Sequence, residues 1–184
     1  NVDLMSALPY QSTEKFVTSL KRVIALKPEH ISAYSLIIEK GTPFYEKYGE
    51  GERAEARRRR ELPDEDTERL MYQFTKNILQ NYGYHRYEIS NYAKEGYECR
   101  HNLGYWNRTE YLGIGTGAAS LINNQRFVEG GEIEVLTPQN QMEEYMFLGL
   151  RRIKGISKAD FRRTFGRSVE NVYGKVLIHM YQKQ

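Results

Sequence analysis

Apolar positions recur along the first forty residues in two rhythms. Val2–Met5 is a short apolar run broken only by Asp3, and it predicts a strand. Phe16, Leu20, Val23, Ile24 and Leu26 follow at helical spacing, with Ser12 or Thr13 as the cap and Pro28 as the stop. His30–Ile38 then reads as a mostly buried strand. Strand, helix and strand in under 40 residues predict a βαβ unit with parallel strands. Ligands in such sheets sit beyond the carboxyl ends of the strands, here Met5–Tyr10 and Ile37–Pro43.

Leu62-Pro63-Asp64-Glu65-Asp66 opens a second helix, with acidic residues in the first turn where the dipole favours them. Leu70, Met71, Phe74, Ile78 and Leu79 are expected on its buried face, and Gly83 near its end. Tyr84–Tyr92 alternates in part and predicts a strand, and 93–110 a loop. Glu88 and Asn91 are candidates to line the mouth of the sheet. Alternating glycines in 111–120 let the backbone come close to a ligand, but no lysine and no following helix support a phosphate loop. Arg126–Val135 reads as a hairpin around Gly130-Gly131. From Thr137-Pro138 onward the pattern changes to short helices with tight turns, a helix-turn-helix or winged-helix arrangement. The expected division is therefore 1–136 and 137–184.

Composition narrows the chemistry. With 27 basic and 24 acidic side chains the net charge is +3, too small for a nucleic-acid partner. Arg57–Arg60 stands out, either as an anion site or, with Glu50, Glu52, Glu55 and Glu61 around it, as a solvated helix extension. One cysteine excludes an internal disulfide framework, points to a reducing, cytoplasmic setting, and leaves the chain unable to ligate an iron–sulfur cluster through several cysteines. No run of 18 apolar residues exists to cross a bilayer. Starting at Asn1 without Met and ending at Gln184 within a helical pattern, the chain is expected to be a fragment of a longer protein.

Glu98–Trp106 concentrates the candidate chemistry. It holds the only cysteine, the only tryptophan and one of four histidines. An imidazole beside large flat rings suits a planar, metal-bearing ligand. The competing reading has His101 and Asn102 capping local structure while Tyr105 and Trp106 pack in a core. His30, His85 and His179 look structural or exposed, and Cys99 is a small hydrophobe or a second ligand.

These pieces in this order resemble the radical-SAM heme chaperones, a family labelled oxygen-independent coproporphyrinogen III oxidase-like. The matching residues are Val2–Met5 with Leu8-Pro9, His30–Leu36, Glu39–Tyr45 and Leu62–Asp66. The most specific are Tyr87-Glu88-Ile89-Ser90-Asn91-Tyr92-Ala93, Glu98–Asn102 with Tyr105-Trp106, and Tyr111-Leu112-Gly113-Ile114-Gly115. The resemblance implies an α/β fold: the C-terminal part of an incomplete radical-SAM (β/α) barrel, then a small helical, winged-helix-like domain. It implies a heme chaperone that hands heme to an acceptor protein. The alternative within the resemblance is the enzyme of porphyrin biosynthesis, which oxidises coproporphyrinogen III with S-adenosylmethionine and a 4Fe-4S cluster.

By the same resemblance His101, Asn102, Tyr105 and Trp106 hold heme, with His101 as the iron ligand and Arg100 beside a propionate. Asp3, Ile37 and Ala119 are the implied S-adenosylmethionine contacts. The cluster ligands would lie in a missing N-terminal half, so the fragment alone is expected to be inactive, with no catalytic residue of its own. An open half-barrel is also expected to self-associate. One departure stands out. Where the family usually has Gly-Leu-Pro-Gly-Gln, this chain has Ala7-Leu8-Pro9-Tyr10-Gln11. The loss of both glycines is expected to alter the hold on S-adenosylmethionine.

Overall fold

Ser12 starts the first helix as expected: its hydroxyl accepts from Lys15 N, one of the orphan donors at a helix N-terminus. The computed structural model describes residues 1–182, and the chain divides into two compact units, Asn1–Glu98 and Cys99–Gln184. In the first unit, β1 (Val2–Ser6), α1 (Thr13–Ala25) and β2 (His30–Ser35) form the βαβ unit, the strands parallel with Val2 opposite Ile31 and Ser6 opposite Ser35. Phe16, Leu20 and Ile24 are buried on α1. Leu26 and Ile37, read as apolar positions of the helix and of the second strand, are 73 % exposed, because α1 ends at Ala25 and β2 at Ser35.

α2 (Pro43–Tyr48), α3 (Glu52–Glu61) and α4 (Glu65–Asn81) follow. Asp64 caps α4, its Oδ1 accepting from Thr67 N at 2.8 Å. Met71 and Leu79 are fully buried there, with Thr75 between them, whereas Leu70 and Phe74 are exposed. The buried stripe thus runs 71, 75, 79, a strict four-residue repeat narrower than the apolar pattern suggested. The arginine run is spent locally. Arg57 and Arg60 face Glu61, Arg59 pairs with Glu55, and Arg58 donates to the carbonyls of Tyr48 and Gly49. The helix-extension reading accounts for all four side chains.

Tyr84–Tyr92 is not one strand. It folds into the hairpin of β3 (His85–Arg86) and β4 (Asn91–Ala93), with Tyr87 N donating to Asn91 O at 3.2 Å. Glu88 turns the chain: its buried carboxylate accepts from Ser90 N at 2.6 Å, a local bond that competes with extended pairing. The sheet order is β1-β2-β4-β3. Its core gathers Leu20, Ile24, Ile31, Leu79, Tyr84 and Tyr92, where each fully buried aliphatic side chain contributes about 1.5–3 kcal/mol.

The second unit begins with α5 (Arg100–Trp106), a helix where the sequence pattern suggested only loop. Three antiparallel strands follow, β5 (Ala119–Ile122), β6 (Gln125–Val128) and β7 (Glu134–Val135). The expected hairpin is β6–β7, with Arg126 opposite Glu134. A tighter one precedes it. Asn123 and Asn124 both have φ near 50–58°, the primed-turn geometry that matches strand twist and that asparagine tolerates. The last elements are α6 (Pro138–Gly149), α7 (Lys158–Phe165) and α8 (Val169–Tyr181). Thr137 and Asn140 form a capping box at the start of α6. Met142, Phe161 and Val169 are the buried centre of this helical group.

Candidate functional site

α5 is seven residues long, and its geometry sorts the motif into two stripes. Residues four apart share a helix face, so His101 stands over Tyr105 and Asn102 over Trp106. The rings follow this arrangement. His101 and Tyr105 meet edge to face at 4.8 Å, and Tyr105 meets Tyr111 the same way at 4.7 Å. His101 itself is exposed, and among the described residues its ring nitrogens make no hydrogen bond. A lone pair on that imidazole is therefore available to a metal, with an aromatic wall beside it. Asn102, Tyr105 and Trp106 are half-buried, and Arg100 is exposed.

Trp106 is engaged on one side. The Arg151 guanidinium lies 4.4 Å from the centre of its ring. Trp106 Nε1 and Arg151 Nε are both buried without a hydrogen-bond partner among the described residues. At the end of the helix Arg108 takes a left-handed conformation (φ 53°) and its Nε donates to Glu144 on α6 at 2.9 Å. Arg126 on β6 reaches the other oxygen of the same carboxylate at 2.6 Å. Glu144 thereby ties the end of α5 to β6 and α6. No pattern in the sequence marked it, because a buried carboxylate reads in a helix as a solvent-facing position.

Beyond Tyr111, which bridges to Leu121, the glycine run makes one close approach. A Cβ on Gly113 would lie 2.3 Å from the carbonyl oxygen of Ala119, so only glycine fits there. Gly113 N donates to Ser120 Oγ at 2.9 Å.

The S-adenosylmethionine candidates divide between the two units. Asp3 is exposed, holds the Asn1 amide at 2.6 Å, and lies at the second residue of β1, opposite Ser32. Ile37 lies two residues past the far end of β2. Asp3 and Ile37 therefore flank opposite ends of the β1–β2 pair. Ala119 opens β5 in the second unit. At the carboxyl ends of β1 and β2 the structure instead puts Ser6 and Ser35, their hydroxyls 3.3 Å apart. The loop that follows is informative. Ala7 and Tyr10, which stand where the resemblance has glycine, adopt φ of 58° and 59°. Both positions are left-handed, the conformation that glycine fits best.

The other histidines are structural or bonded at the surface. His30 bridges Asn1 and Tyr87 at 2.6 and 2.8 Å, and burial depresses its pKa. His85 contacts Glu98 at 2.7 Å, and His179 is exposed on α8. Asn91 Oδ1 is buried without a partner in the first unit, beside the buried Glu88. Among the described residues no three His, Cys, Asp or Glu side chains cluster as a metal site, and no helix is long and apolar enough to cross a membrane.

This α/β arrangement has the fold of part of a solved radical SAM enzyme. It superposes on coproporphyrinogen III oxidase (HemN) from Escherichia coli, described as a radical SAM enzyme, with a TM-score of 0.72. The match covers 98 % of this chain and 47 % of that one at 17 % identity, a likeness of fold. Residues 136–184 match the HemN C-terminal domain family. The chain is 36 % identical over its whole length to the heme chaperone HemW of Bacillus subtilis, covering 51 % of that protein. It is 33 % identical to the HemW of Lactococcus lactis, covering 50 %. Over 64 % of its length it is 42 % identical to the E. coli HemW. The chain thus aligns over its whole length with the Bacillus and Lactococcus heme chaperones and spans about half the length of each.

Proposed function

We propose that this chain is the heme-holding half of a chaperone that receives heme and passes it to an acceptor protein. The observation that supports this most is His101: an exposed imidazole with no hydrogen bond among the described residues, backed edge-on by Tyr105. His101 ligates the iron, Asn102 orients the cargo, and Tyr105 and Trp106 supply ring contacts. S-adenosylmethionine and a 4Fe-4S cluster supply radical chemistry to the whole protein. This chain's single Cys99 leaves the cluster ligands to other residues. Asp3, Ile37 and Ala119 are the S-adenosylmethionine contacts of this reading, and the setting is the cytoplasm. The helical domain begins at 137, and the half-barrel self-associates through its open faces.

Hemin titration tests the reading. The wild-type chain should give a saturable Soret shift, and His101→Ala should lose it or move its maximum. An identical Soret band in both removes His101 as ligand. Unchanged S-adenosylmethionine binding in an Asp3→Asn variant of the full-length protein removes Asp3. The rival reading, oxidation of coproporphyrinogen, has the fold likeness behind it. Turnover by the full-length protein would establish it.

A further inference from the structure

The turn from α6 to α7 carries Arg151, Arg152 and Lys154, three cations that no motif explains. It borders a cleft of about 400 Å³ whose walls include Trp106, Asn107, Tyr145, Asp160 and Arg163. Small-ligand sites span about 300–1,000 Å³, so this one has room for part of a cofactor-sized molecule. Gly149 shapes the wall: a Cβ there would lie 2.4 Å from Ile156 Cγ2. The charges in the cleft do not balance. Asp160 is the single carboxylate in the lining, and Arg163 already holds it at 2.6 Å. Arg152 donates to the neutral amide oxygen of Asn107, and Lys154 is exposed with no ion pair among the described residues. Two cations and an indole thus face one cavity without a counter-charge. Trp106 Nε1, and Arg151 Nε on the residue that stacks on it, are buried with no hydrogen-bond partner among the described residues.

We propose that this cleft takes the carboxylate arms of a planar aromatic ligand, the propionate edge of a tetrapyrrole. Arg152 and Lys154 pair with the carboxylates, and Trp106 lies against the ring system. The guanidinium fork matches a carboxylate bidentately, and an ammonium adds a point charge. The assignment rests on the heme reading, since the stripe carrying Trp106 adjoins the one carrying His101 on α5.

Trp106 is the only tryptophan, so its fluorescence reports on the cleft directly. The chain is titrated with iron-free protoporphyrin IX, with its dimethyl ester, and with hemin. Protoporphyrin diacid should quench Trp106 with an affinity at least about tenfold above the diester, the scale of a charge-assisted pair. Arg152→Ala/Lys154→Ala should bring that ratio to near one while the hemin Soret maximum stays unmoved. Lys154→Glu, at an exposed position, should lower the ratio without risk to folding. Equal affinity for diacid and diester in the wild type overturns the proposal, as does a preference that survives both variants. Displacement of protoporphyrin by equimolar pyrophosphate or by a poly-glutamate peptide marks a general anion or acidic-protein surface and also overturns it. If the diacid preference holds while His101→Ala leaves the hemin spectrum unchanged, His101 ligation fails and the cleft assignment stands.

Discussion

Glu144 is the residue on which the second unit's architecture is most exposed to a single change. Its side chain is 7 % exposed, and Arg108, its closer partner in burial, is 9 % exposed. Removing the carboxylate leaves the Arg108 guanidinium buried with only the Asn124 amide oxygen, 3.3 Å away, as acceptor. Arg126 is 35 % exposed and turns to water or to Glu134 at 3.5 Å. One stranded buried charge costs about 3–5 kcal/mol, and we take the lower end because Asn124 and Arg126 relax part of it. With a urea slope of about 1.5 kcal/mol per molar, about 3 kcal/mol moves the midpoint by about 2 M. Trp106 fluorescence reads this directly, since the cation above its ring belongs to the residue after α6's C-cap. Glu144→Gln should give most of the shift, because a neutral amide keeps the volume and loses the charge. Arg108→Met with Glu144→Leu should recover most of the stability, since replacing a buried pair by apolar side chains is often neutral. A Glu144→Gln midpoint within 0.3 M of wild type, at an unchanged slope, refutes the reasoning.

Two further changes test the first unit. Glu61 accepts from Tyr48 at 2.8 Å and from Lys47 at 2.9 Å, and contacts Arg60 at 2.8 Å. These bonds, Lys47's first, hold its carboxyl far below the ordinary carboxylate range. A depressed carboxyl gives stability that is present above its unfolded value of about 4.3 and is lost as pH falls below it. Glu61→Gln should therefore lower the urea midpoint at pH 7 and converge with wild type as the pH drops toward 2, and parallel curves would contradict it. Ala7→Gly should stabilise by about 0.5–1 kcal/mol by relieving a left-handed alanine, a gain read from denaturant midpoints and refuted by a loss.

How much of this was legible in the sequence depended on whether a signal was local. The βαβ unit, the capped helices and the β6–β7 hairpin follow from periodicity and cap chemistry, which neighbouring residues decide. The hairpin at Glu88 looks like one strand in the sequence because a side chain, and not a glycine or proline, turns the backbone. α5 looks like loop in the sequence because seven residues with Gly104 inside carry too few turns for a periodic signal. Its pairing of His101 with Tyr105 was implicit in the four-residue spacing all along. The Glu144 cluster and the cationic cleft join residues tens of positions apart, and only three-dimensional packing reveals them. Ala7 and Tyr10 show the converse: both are left-handed, although neither residue type announces such a turn in the sequence.

The sheet of the first unit has two unequal borders. One is β3, two residues long, too short to recruit anything. The other is β1, five residues whose outer row of amides and carbonyls meets no neighbouring strand among the described residues. Among the described residues, β1 is the border long enough to pair with a further strand. For anyone preparing the chain by itself, that row is the place to put a lysine or a proline before concentrating the sample.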